Sequence, residues 1–97
     1  MSAAMDPLAA RTVLVRELSI WRSKPYRDLA GLISQSKTVQ VKEPDGKSYQ
    51  IEIQVLWDSS PNGNIRVLGT IDDGGWRAFV PLSESFIVAP SGDFVGE

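Results

Sequence analysis

Ninety-seven residues, 42% of them hydrophobic and 23% charged with a net charge of −2, can build one apolar core but not two, and they exclude wholesale disorder. The chain has no cysteine and no histidine. That excludes disulfides, thiolate nucleophiles, cysteine-held zinc or iron–sulfur centres, and hydrolysis by serine–histidine or cysteine–histidine pairs.

Any catalysis would have to rest on carboxylates, Lys, Tyr or Ser. No catalytic residue, metal site or cofactor is assigned from the sequence. The amino terminus, Met1 to Pro7, lacks the basic start and continuous apolar stretch of a signal peptide. No apolar run approaches the roughly 20 residues of a transmembrane helix. A cytoplasmic location is the default expectation. Residues 1–5 are expected to be disordered, and Met5 offers an alternative start. The remainder reads as one domain over residues 1–97, without internal repeats or linkers.

Asp6-Pro7 opens a helix, because Asp accepts from the free amides of the first turn and Pro suits the first helical position. Ala10, Leu14, Glu17 and Trp21 then follow a helical seam, flanked by Val13, Leu18 and Ile20, which predicts a helix over residues 7–22. Pro25 disfavours helical geometry at Lys24 and forces a break. Ser23 is expected to cap a shorter second helix, Pro25 to Ile33, with Leu29, Leu32 and Ile33 facing inward.

After Ser36 the period changes from helix to strand. Val39 and Val41 alternate with polar neighbours, and Glu43-Pro44-Asp45-Gly46-Lys47 predicts a hairpin turn. In the next strand Tyr49, Ile51, Ile53, Val55 and Trp57 face one way, and Gln50, Glu52 and Gln54 the other. Asp58 to Asn64 reads as a loop, and Ile65 to Ile71 as a third strand. Asp72-Asp73-Gly74-Gly75 predicts a second hairpin turn, leading to a fourth strand at Trp76–Pro81. A short fifth strand, Phe86–Ala89, precedes a Phe94-Val95 tail. Short connections favour an antiparallel meander. The expected fold is α+β: two N-terminal helices packed on one face of a four- to five-stranded antiparallel β-meander.

Four features bear on function. Asp72 and Asp73 should lie at the opposite end of the third strand from Asp58, about 20 Å away, too far for one metal site. They read as turn residues, since their spacing is not that of a calcium loop. Glu17 stands on an apolar seam, where a carboxylate needs a partner or a raised pKa. Tyr26, Arg66 and Arg77 are the groups with which it would form a helix–sheet cleft; the alternative is a structural ion pair or a side chain reaching out from the stripe edge.

Residues 1–47 carry eight basic and five acidic side chains, a balance of +3, whereas residues 48–97 carry two and seven, a balance of −5. A basic helical layer can neutralise phosphates. With an isoelectric point of about 5.0 and no aromatic binding motif, no nucleic-acid partner is expected. Finally, Leu56, Leu68 and Phe79 fall on the sheet register opposite the core, and Trp76 begins a strand beside two glycines. Apolar residues grouped on an outer face often mark an interface.

The leading expectation is therefore a non-catalytic intracellular protein that binds another protein, or itself as a weak homodimer, through Leu56, Leu68, Phe79 and Trp76. The alternative is a small-molecule-binding or carboxylate-based catalytic domain with its cleft near Glu17, Tyr26, Arg66 and Arg77. No membrane partner is expected.

Overall fold

The computed structural model describes residues 6–73 and 82–97. Helix α1 spans Pro7–Arg22, and the Asp6 carboxylate accepts hydrogen bonds from the amides of Leu8 (3.0 Å) and Ala9 (3.4 Å). Its buried face is Ala10, Val13, Leu14, Leu18 and Trp21. The stripe is rotated from the expected seam. Ile20 is 55% exposed and Glu17 is half-buried at the stripe's edge. A helix advances 3.6 residues per turn, so a line through Leu14, Leu18 and Trp21 leaves Glu17 on the flank.

Helix α2 is shorter than expected, Tyr26–Ala30, and Pro25 precedes it without any side-chain cap. Ser23 instead closes α1. Its amide donates to the Ile20 carbonyl, and its hydroxyl donates to the same oxygen at 2.6 Å. Leu29 is buried, and Leu32 and Ile33 pack against the core from the turns that follow. Ser34, with φ of 67°, then redirects the chain, its amide donating to the Val55 carbonyl.

Among the described residues, four strands form one sheet in the order β1-β2-β3-β4: β1 (Ser36–Lys42), β2 (Ser48–Trp57), β3 (Ile65–Asp72) and β4 (Leu82–Val88), every neighbouring pair antiparallel. The meander is the expected one as far as β3. Gly46, with φ of 90°, closes the β1–β2 turn. The partner of β3, however, is Leu82–Val88, in register from Ile71↔Leu82 to Ile65↔Val88. The expected pairing of β3 with 76–81 is therefore overturned; residues 76–81 themselves, with Gly74 and Gly75, lie outside the described residues.

The polar segment Leu82–Ser85 makes a strand because of where its polar groups point. Ser83 and Ser85 project to the outer face, and Glu84 reaches Arg11 of α1 in an ion pair. The expected strand Phe86–Ala89 is the end of β4, which stops at Val88, one residue short of Ala89. Phe94 then bridges Val88, and the Val95 amide donates to the Ile87 carbonyl.

Helix α1 packs over β3 and β4. Close approach requires Gly69 on β3, since a Cβ there would stand 2.9 Å from Leu14 Cδ1 and 3.1 Å from Leu18 Cδ2. Tyr49, Ile51, Ile53 and Val55 of β2, Ile65, Val67 and Ile71 of β3, and Phe86 and Val88 of β4 complete the core. The two-layer α+β arrangement stands, with one long helix and one short one.

Candidate functional site

The sheet has two unlike faces, and strand alternation decides which residue goes where. On the face away from the helices, the pairing aligns Leu56 with Arg66 and Ile87 in one row, and Gln54 with Leu68 and Ser85 in the next. Leu56 is 38% exposed, and Leu68 and Ile87 are half-buried among their neighbours. Two of the four expected interface residues, Leu56 and Leu68, thus share this face. Phe79 and Trp76 lie outside the described residues. Ile87 joins the pair and was not anticipated; its signal was its alternation with Phe86 and Val88, which face the core.

Arg66 stands between Leu56 and Ile87. Its Nε donates to Asp58 Oδ1 (3.1 Å), its Nη2 lies 2.9 Å from the same oxygen in an ion pair, and its Nη1 donates to the Ser85 hydroxyl (3.1 Å). This pair is largely solvated, so it contributes at most about 1 kcal/mol. Its effect is to fix the position of the guanidinium through Asp58 and Ser85.

That placement removes Arg66 from the cleft expected around Glu17, because the sheet lies between them. Tyr26 is also elsewhere: its hydroxyl donates to the Gly63 carbonyl at 2.7 Å, tying α2 to the β2–β3 loop. Arg77 lies outside the described residues.

A groove does run beside Glu17, between α1, the turn after α2, and β1. It exists because α1 covers the β3–β4 side and leaves the β1 side open. One part, about 170 Å3, has Ile53 and Val55 as its floor; the adjoining part, about 290 Å3, is rimmed by Glu17, Lys24 and Lys37. Trp21, Leu32 and Lys37 border both. Lys24 Nζ lies 5.3 Å from the centroid of the Trp21 ring, a cation–π distance. Glu17 is the sole carboxylate bordering this groove among the described residues.

The basic residues of α1 are locally matched. Arg11 pairs with Glu84, Arg16 with Glu43 and Arg22 with Glu97. Hydrogen bonding to Glu43 raises the pKa of Arg16, and hydrogen bonding to Glu97 raises that of Arg22. The Arg22 guanidinium holds the Glu97 carboxyl below the usual glutamate range. Arg22 also lies 4.9 Å from the Phe86 ring centroid and 4.8 Å from that of Phe94, two rings meeting edge to face at 5.7 Å. The tail is fastened to the helix by these contacts.

Among the described residues no group of three or more carboxylates is placed to hold a metal ion, and no helix is long and apolar enough to cross a membrane. No protein-family model, curated protein or solved structure matches this chain.

Proposed function

We propose that this chain is a non-catalytic interaction module that binds another protein, or a second copy of itself, through the outer face of its sheet. One observation carries the reading. Both helices pack on the same side, whereas Leu56, Leu68 and Ile87 lie together on the other, with no described element over them. Burying three such side chains contributes roughly 4–8 kcal/mol, against an association cost of about 4–15 kcal/mol. The balance favours a weak or transient complex. The matched arginines of α1 further support a protein partner over a phosphate backbone, since each already neutralises a carboxylate.

The test compares Leu56→Glu and Leu68→Glu with Val15→Glu, which alters an exposed position on the helical side. Binding to a co-purifying partner is measured for all three. The two sheet variants lose the interaction and the helix variant keeps it. Equal binding by all three would contradict the reading.

The groove beside Glu17 favours a second reading, a small-molecule-binding domain, because an apolar floor meets a charged rim there. A second carboxylate for acid–base work does not border it among the described residues. Saturable shifts of the Trp21 and Lys37 NMR signals on ligand addition would support this reading; unchanged signals across a diverse ligand panel would oppose it.

A further inference from the structure

The outer edge of β1 has a register that fits itself. Among the described residues β1 is paired on one side only, with β2. The Glu43 amide donates inward to the Lys47 carbonyl at 2.8 Å, and the Gln35 carbonyl accepts from the Val55 amide at 3.4 Å. Antiparallel alternation then turns the backbone groups of Lys37, Val39 and Val41 towards β2. Those of Ser36, Thr38, Gln40 and Lys42 point outward, as a ladder with no described strand opposite. On the helix side of β1, Val39 and Val41 remain half-buried because α1 lies over the far side of the sheet.

We propose that β1 pairs antiparallel with β1 of a second copy, about a two-fold axis at Gln40, to make a continuous eight-stranded sheet. This goes beyond the outer-face reading and uses a different surface. Only pairings that join outward-facing residues and keep the core faces together are admissible, so the register moves in steps of two.

Centring on Gln40 sets Val39 against Val41 twice and Lys37 against Glu43 twice on the helix side. Thr38 meets Lys42 on the outer side, and Gln40, already bonded to Gln50 (3.1 Å), meets its own copy. Centring on Val39 sets Lys37 against Val41. Centring on Val41 sets Val39 against Glu43, and centring on Lys42 opposes two lysines. Only the Gln40 register matches both the charges and the apolar side chains. The Glu43 carboxylate, held by Arg16 at 2.7 and 3.3 Å, retains lone pairs for the lysine of the second copy.

The test exploits the absence of cysteine. Sedimentation equilibrium should show a reversible dimer across about two decades of concentration. Gln40→Cys should form an intermolecular disulfide, because the facing Cα atoms lie about 5.5 Å apart, within disulfide reach. Thr38→Cys alone should not, since its two copies stand about 13 Å apart, four residues out of step. Thr38→Cys mixed with Lys42→Cys should cross-link.

Gln40→Pro removes an outward amide and the Gln40–Gln50 side-chain bond but no backbone bond to β2, and should weaken the dimer by about tenfold or more while the monomer stays folded. If that variant does not fold, the cysteine pattern decides alone. A monomer at every concentration, with Lys37 and Lys42 acting as guards of the edge, would overturn the proposal. So would equal cross-linking at Thr38→Cys and Gln40→Cys, or a dimer that survives Gln40→Pro and is lost with Leu68→Glu.

Discussion

Gly69 is a point of close approach between the two layers. Any side chain there must displace Leu14 and Leu18, whose methyl groups sit 2.9 and 3.1 Å from the position of a Cβ. Gly69→Val should therefore lower stability by about 1–3 kcal/mol, the usual cost of overpacking, seen as a lower urea midpoint with an unchanged slope. A stability equal to the parent's would mean that α1 does not seat on β3 as described.

Glu97 offers a second test at the same scale. Its carboxyl is held below the ordinary range chiefly by the hydrogen bond from Arg22. The folded-state pKa is thus depressed, and the tail's anchorage is complete above the unfolded value of about 4.3. It is lost as pH falls through the lower folded value. An NMR titration should place Glu97 below a free glutamate, and Arg22→Gln should return it to the ordinary range. An unchanged titration in that variant would show that the pair does not hold in solution.

At the scale of elements, the β1–β2 hairpin is the cleanest case. Gly46 has φ of 90°, and nothing lies within 4 Å of where a Cβ would stand, so a substitution there meets only backbone strain. Gly46→Val should cost about 1–2 kcal/mol in thermal or urea unfolding, and no loss would show the turn to be misassigned. This turn is legible in the sequence because Pro44 and Gly46 each impose a dihedral. So is α1, where Asp6-Pro7 marks the start and apolar spacing the length.

Strand β4 is not legible in the same way. Ser83, Glu84 and Ser85 look like loop residues until Arg11 of α1 and the open outer face supply reasons for their polarity. Ser23 misleads for a related reason: a serine between two helices can close the first or open the second, and the local sequence does not say which. Glu17 stands out in the sequence as an odd charge. Its expected partner Arg66 lies across the sheet, because facing depends on register and not on proximity in sequence.

At the scale of the molecule, the arrangement is one layer of helix on one layer of sheet. That leaves the second face of the sheet to solvent or to a partner. Leu56 and Leu68 on this face are the part of the candidate site that strand alternation alone reveals. The groove beside Glu17 requires knowing that α1 lies over β3 and β4, a tertiary fact with no local signature. The most direct measurement is the stability of Leu68→Glu, compared with Leu14→Glu in the core. If the outer face is a presented surface, Leu68→Glu keeps a cooperative unfolding transition and loses no more than about 1 kcal/mol, while Leu14→Glu unfolds the protein. If Leu68→Glu unfolds it as well, the outer face is a second core and the interaction account is wrong.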